Sequence, residues 1–307
     1  MARVPNDSFD AERAWLILRE ACSTNHVCTS GGELIRLGEN AVFWLSARTV
    51  VARVGRGDAR AAEAEREIKV ARWLAGTSVP TVRPLEIAQP LRVGDHFVTL
   101  WESVGDEISY GTPAELASLL RQLHALEPPA DVAMPRADPF RRAHRFLANA
   151  TALANEDKLF IGALLDRLAN RYTRLAFALR PGVVHGDANV CNVFRDRRGR
   201  PVLGDLGTVA VGPRELDLVP AALYYDRLGW HSVGEYREFA DSYGFDVLDW
   251  PGYDLMADVL EVEMVTWLAQ NAGQDERAGQ ELGNRVRTLR TGSSRALWAP
   301  FLWHQDG

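Results

Sequence analysis

The stretch Val183-Val184-His185-Gly186-Asp187-Ala188-Asn189-Val190-Cys191-Asn192-Val193-Phe194 governs the reading of this chain. Short β-branched and apolar ends enclose a polar loop, His185 to Asn192. Next come Arg195-Asp196-Arg197-Arg198-Gly199-Arg200 and a second strand, Pro201-Val202-Leu203-Gly204, ending at Asp205. With Arg198-Gly199 as a two-residue hairpin turn, Asn192 faces Asp205 directly. One amide oxygen and one carboxylate then converge where a hard cation sits. Magnesium prefers such ligands and fills its remaining positions with phosphate oxygens or water.

Asp187 precedes Asn192 by five residues, close enough to reach the same chemistry without being a principal metal ligand. Phosphoryl transfer needs a carboxylate there, to orient the attacking hydroxyl and accept its proton. An Asp-x-Gly, Asp205-Leu206-Gly207, completes the spacing expected of nucleotide-dependent phosphotransferases.

These residues resemble the aminoglycoside phosphotransferase family. Its signature His-Gly-Asp-x4-Asn stands here as His185-Gly186-Asp187-x4-Asn192, and its metal motif as Gly204-Asp205-Leu206-Gly207 through Gly212-Pro213-Arg214-Glu215-Leu216-Asp217-Leu218. The resemblance runs from about Leu34 to Leu223 and is strong within 183–219. It implies an α+β, bilobal, protein-kinase-like fold: a small β-rich N-terminal lobe with one main helix, and a larger, mostly helical C-terminal lobe. It further implies that Asp187 is the catalytic base, that Asn192 and Asp205 bind Mg2+, and that His185 and Asp217 brace the loop.

Working outward, residues 10–22 read as a helix, and Leu34 to Leu45 as two strands around a Gly-containing turn. A third strand follows over Thr49 to Val54, then an unbroken helix from Asp58 to Ala75 before Gly76. Further strands are expected at Leu85 to Ala88 and His96 to Trp101. Arg53, on the third strand, is the expected phosphate-holding cation. Glu67 is its helix partner, on one face with Val70, Ala71 and Leu74. An ordinary surface salt bridge is the competing reading of that pair. Gly38-Glu39-Asn40-Ala41 is the candidate phosphate-covering loop. The connector around Trp101, Glu102 and Val104 is expected to offer backbone groups to a purine, with ATP and GTP equally served.

Helices dominate beyond that connector, so the boundary is drawn between residues 1–104 and 105–307. Thr112-Pro113-Ala114-Glu115 is a capping box with Pro at the first helical position. Further helices are expected over 157–179, 214–228, 233–243, 252–270 and 274–290. Asp226, Asp258, Glu261 and Glu263 are acceptor-site candidates, with Trp230 and Trp267 as stacking surfaces. Asp258 and Glu261 share a helix face. Solvated helix faces are the alternative explanation.

Composition narrows the class. From Glu215 to Glu276 there are fourteen acidic residues against Arg227 and Arg237, which suits a cationic acceptor, within a net charge of −6. The basic residues, thirty-three Arg and two Lys (Lys69 and Lys158), are scattered, which disfavours nucleic acid as a partner. No apolar run approaches the roughly 18 residues of a membrane span. Residues 1–10 lack a secretory pattern. Three irregularly spaced cysteines, Cys22, Cys28 and Cys191, fit a reducing cytoplasm.

The expected activity is transfer of the γ-phosphoryl group of ATP or GTP to a hydroxyl of an antibiotic. The acceptor is an aminoglycoside or another antibiotic, including nucleoside or peptide types. A metabolic kinase of choline, homoserine or a sugar shares the same chemistry. An inactive kinase-like binding module is the third reading, opposed by intact Asp187, Asn192 and Asp205. A protein kinase is disfavoured, since Glu215 and Asp217 follow Gly207 too closely for a long activation loop. Oligomeric state is not legible.

Overall fold

A computed structural model describes residues 9–38, 40–272 and 275–300. In chain order these form α1 (Ala11–Thr24), β1 (Glu33–Leu37), β2 (Ala41–Leu45), β3 (Val50–Arg56), α2 (Asp58–Ala75), β4 (Leu91–Val93) and β5 (His96–Glu102). Then follow α3 (Pro113–His124), α4 (Arg141–Asn149), α5 (Asn155–Tyr172), β6 (Gly182–Val184), β7 (Val193–Arg195), β8 (Pro201–Leu203) and β9 (Ala210–Gly212). Last come α6 (Val219–Asp226), α7 (Val233–Tyr243), α8 (Tyr253–Asn271) and α9 (Glu276–Thr291). The chain packs as two compact units. The first runs up to Gly111 and includes Pro129–Ala133 and Val190–Val209; the second holds Thr112–Pro128, Met134–Asn189 and the residues from Ala210 onward. Where the sequence reading cuts once after Val104, packing assigns the hairpin at Arg198 to the first unit.

The first unit is an antiparallel five-stranded sheet ordered β1-β2-β3-β5-β4. Side chains alternate between the faces of a strand. Ala52 and Val54 of β3, with Val98 and Leu100 of β5, pack with Ile17, Leu18 and Ala21 of α1. Phe97 lies on the opposite face against Ala61 and Ala64 of α2. By the same parity Arg53 projects towards α2, where Glu67, Val70, Ala71 and Leu74 form the expected buried stripe.

Two strand assignments need correction. Residues Leu85 to Ala88 do not form a strand. Leu85 N–H still reaches Leu100 O, but Ile87 N–H turns back to Leu85 O. The Gln89 side chain then takes the place of a partner strand, donating to Leu85 O and Leu100 O and accepting from Leu100 N–H at 2.8 Å. The fourth strand is Leu91–Val93, joined to β5 across Gly94-Asp95 with Val93 opposite His96. That dipeptide is a hairpin signal carried by the sequence.

The second correction is the register of the β7–β8 hairpin. Val193 pairs with Leu203 and Arg195 with Pro201. The loop therefore has three residues, Arg197-Arg198-Gly199, with Asp196 N–H donating to Arg200 O. Gly199 closes it at φ +73°, the left-handed region that glycine enters without a Cβ penalty. Asn192 consequently lies opposite Gly204, whose N–H donates to Asn192 O at 2.8 Å, and not opposite Asp205.

In the second unit α8 is apolar on nearly every side, with Met256, Ala257, Val259, Val262, Val265 and Leu268 buried. Such a helix belongs in a core, and α4, α5, α6 and α9 pack around it. The helix expected over 157–179 runs from Asn155 to Tyr172. The one expected over 214–228 begins as a 3-10 turn, Arg214–Asp217, before α6. α3 opens on the expected capping box, Thr112 Oγ1 accepting from Glu115 N–H and Glu115 Oε2 from Thr112 N–H. Thr112→Ala is expected to lower stability by about 1 kcal/mol in urea denaturation. Among the described residues no helix is long and apolar enough to cross a membrane.

Candidate active site

In the first unit Arg53 Nη1 donates to Glu67 Oε1 at 2.8 Å. Glu67 is only 8% exposed, so the pair is internal and not a surface bridge. Burial pushes the Glu67 carboxyl above its ordinary range. Arg53 and the Leu206 N–H pull it down, while Asp205 adds to the rise. Burial also opposes charge on Arg53, but Glu67 and Asp205 outweigh it and hold the guanidinium firmly protonated. The Arg53 guanidinium lies 5.2 Å from the Trp101 ring. One carboxylate thus ties the third strand to the Asp205-Leu206-Gly207 turn.

Asp205 itself is exposed, in the left-handed region at φ 52°, ψ 58°. Among non-glycine residues Asp and Asn are the ones that tolerate this conformation. Asn192 is 9% exposed and is anchored through its carbonyl to Gly204, the residue before Asp205. The corrected register therefore keeps both oxygen donors at the same end of the hairpin. Two such donors suit a hard cation that draws its other ligands from phosphates and water. Among the described residues no cluster of three or more His, Cys, Asp or Glu offers an all-protein cage.

The other nucleotide-site candidates sort unevenly. Gly38 N–H donates to Asn40 O within the β1–β2 turn, and Glu39 lies outside the described residues. Asn40 Oδ1 is buried against β3, where a Cβ on Gly55 would meet it at 2.7 Å, so the side chain turns into the sheet. Trp101 is buried, its Nε1–H donating to Thr99 Oγ1. Glu102 N–H donates to Arg83 O and Ser103 N–H to Thr49 O. The next N–H, that of Val104, has no partner among the described residues.

In the second unit β6 pairs with β9 and delivers the chain into His185-Gly186-Asp187. Asp217, 1% exposed, accepts from His185 N–H at 2.5 Å, Gly186 N–H at 2.8 Å and His124 Nε2–H at 2.9 Å. His124 Nδ1 in turn lies 2.8 Å from the Tyr243 hydroxyl. Burial opposes charge on Asp217, yet the hydrogen bonds and charge of His124, aided by His185, hold its carboxyl below the usual range. Gly186 takes φ +79°, the turn that aims its N–H at Asp217 and carries the chain on to Asp187.

Asp187 Oδ1 is 3.0 Å from Arg142 Nη1, and Arg142 Nε is 3.0 Å from Glu263 Oε1. Arg142 stands on α4, which the sequence reading misses. The signal was present: Ala143, Phe146 and Ala150 recur at offsets of three and seven, and all three are buried. Burial raises the Glu263 carboxyl above its ordinary range against the pull of Arg142, and Asp187 adds to the rise.

The remaining acceptor candidates are engaged inside the fold. Asp258 and Glu261 do share a face of α8, as expected, but Arg227 Nη1 bridges both, at 2.8 and 3.0 Å. Glu261 is 1% exposed and also holds Arg295 at 2.9 Å, so an amine reaches it only by displacing arginines. Asp226 accepts from the Tyr253 hydroxyl. Trp230 Nε1–H donates to Trp298 O, whereas Trp267 is half-buried one turn beyond Glu263 on α8. Four of the fourteen acidic residues, Asp254, Asp258, Glu261 and Glu263, are thus held in ion pairs with arginines.

The chain has relatives among known proteins. Residues 33–257 match the phosphotransferase enzyme family (APH), and the chain belongs to that family. No curated protein sequence matches it. Among solved structures it is similar to the aminoglycoside phosphotransferase APH(3'')-Id from Streptomyces rimosus: 25% identity and TM-score 0.59, covering 81% of this chain and 98% of that one. The amicoumacin kinase hAmiN, solved with AMP-PNP, Ca2+ and Ami, shares 12% identity at TM-score 0.70, covering 95% and 96%. The choline kinase LicA from Streptococcus pneumoniae shares 14% at TM-score 0.62, covering 91% and 99%. The chain is therefore a small-molecule phosphotransferase with an α+β, protein-kinase-like fold.

Proposed function

We propose that this chain transfers the γ-phosphoryl group of ATP or GTP to a hydroxyl of a small-molecule antibiotic, giving resistance or self-protection in the cytoplasm. The observation that carries the reading is Asp187, half-buried and paired with Arg142 on a loop fixed by Asp217, five residues ahead of Asn192. In this reading Asp187 orients the acceptor hydroxyl and takes its proton as the oxygen attacks. Arg53, fixed by Glu67, holds nucleotide phosphates, and the Val104 N–H meets the base. Asn192 and Asp205 hold Mg2+, which neutralises charge on the transferring group when bound. The antibiotic assignment is supported by the 25% identity to an aminoglycoside phosphotransferase over 81% of this chain.

Mass spectrometry of reactions with ATP and GTP across hydroxylated antibiotics and common metabolites tests this. Gain of one phosphoryl group on an antibiotic is expected; turnover confined to choline, homoserine or a sugar would replace the antibiotic by a metabolite. Glu67→Gln is expected to weaken ATP binding about tenfold in isothermal titration calorimetry. The neutral amide no longer fixes the Arg53 guanidinium.

A further inference from the structure

Arg142 joins two carboxylates from a third element. It reaches Asp187, on the loop after β6, through Nη1, and Glu263, on α8, through Nε. A guanidinium presents its donors in a rigid plane, so engaging two at once fixes the orientation of what they hold. Phe146, four residues on, lies 5.7 Å from the Arg142 guanidinium and 5.2 Å from that of Arg145, which limits both stems. The Asp187, Arg142 and Glu263 side chains are 30%, 22% and 17% exposed, open enough to meet a substrate and shielded enough to hold a geometry. Packing alone does not require this bridge, because buried Ala143 and Phe146 already face the core.

We propose that Arg142 is a positioning residue for phosphoryl transfer: it holds the Asp187 carboxylate in the orientation that receives the acceptor's proton, and Glu263 holds Arg142. This rests on the reading of Asp187 as the base and extends the active site to α4 and α8. A reacting group displaced by about 1 Å loses on the order of 10²-fold in rate. Arg142 also offsets the Glu263 charge beside Asp187. Its removal therefore takes away the guanidinium that orients the base and leaves the Asp187 and Glu263 charges without the cation they share.

The test uses the full chain with Mg-ATP as donor and water as acceptor, following phosphate release at saturating nucleotide. Arg142→Ala is expected to lower kcat by about 10–100-fold while KM for ATP and the melting temperature stay near wild type. Added guanidinium ion, below denaturing concentration, should restore part of the lost rate in Arg142→Ala and none in Asp187→Asn. Arg142→Lys should fall between, since it keeps charge without the two-point bridge, and Glu263→Gln should lower the same kcat by a smaller factor. Unchanged kcat in Arg142→Ala, or a loss confined to KM for ATP or to melting temperature, overturns the proposal. A folded Arg142→Ala variant that guanidinium does not rescue also overturns it. Release that disappears in Asp187→Asn yet ignores Arg142 sinks this inference alone. No release by wild type with ATP or GTP removes the reading of Asp187 as the base together with it.

Discussion

Asp187→Asn is expected to lower phosphoryl transfer by about 10²–10⁴-fold, the range spanned by a positioned general base, without unfolding the chain. The substitution removes the proton acceptor but keeps an oxygen that still meets Arg142. Asp187 is 30% exposed, so its ion pair is of the kind that adds little to folding. Nucleotide affinity should hold, because Arg53, Glu67, Asn192 and Asp205 are untouched. Steady-state kinetics beside a thermal melt distinguishes the outcomes. A fall in kcat at constant ATP KM and melting temperature is predicted; an unchanged kcat would deny Asp187 the role of base.

Asp217→Ala is expected to have the largest effect on stability, about 3–5 kcal/mol, the cost of breaking a buried charge pair by removing one partner. The loss falls on three groups at once. His185 N–H and His124 Nε2–H give up their acceptor in a buried position, and Gly186 N–H gives up its own in a part-buried one. Asp217→Asn should recover little, since an amide presents one oxygen where the carboxylate presents two. Urea denaturation measures the difference. Its pH dependence carries a sign: the folded carboxyl lies below its ordinary value. The stability Asp217 contributes is therefore complete above about pH 4. It drains away as pH falls through the depressed folded value. Wild type should thus lose stability more steeply than Asp217→Ala below about pH 4.

The candidate site residues are legible because the chemistry proposed for them is local in sequence. Asp187 and Asn192 share one loop, and Asp205 and Asp217 follow at short intervals with few alternative roles. Arg53 and Glu67 were legible for a different reason: strand parity and helix spacing each direct one side chain to the same buried face. Register was harder. Arg198-Gly199 reads as a two-residue turn, but Gly199 takes the left-handed position that closes a three-residue loop, and every facing pair shifts by one. Leu85 to Ala88 has the composition of a strand, yet the Gln89 amide occupies the backbone groups of Leu85 and Leu100 that a ladder needs.

The acceptor side was least legible, since ion pairing is tertiary. Fourteen acidic residues between Glu215 and Glu276 look like a site for cations when counted along the chain. Arginines outside or sparse within that segment engage four of them: Arg227 takes Asp254, Asp258 and Glu261, Arg295 takes Glu261 again, and Arg142 takes Glu263. Glu263 shares Arg142 with Asp187, the carboxylate proposed as the base. The expectation of an amine-bearing acceptor therefore loses the support that Asp258 and Glu261 gave it.

Phosphorus NMR of the full chain with Mg-ATP or Mg-GTP and a hydroxylated acceptor tests the central claim most directly. The γ-phosphoryl resonance should be replaced by a phosphate monoester signal coupled to a carbon-bound proton of the acceptor, in wild type and not in Asp187→Asn. Nucleotide left intact, or converted only to inorganic phosphate across the whole acceptor panel, would contradict it.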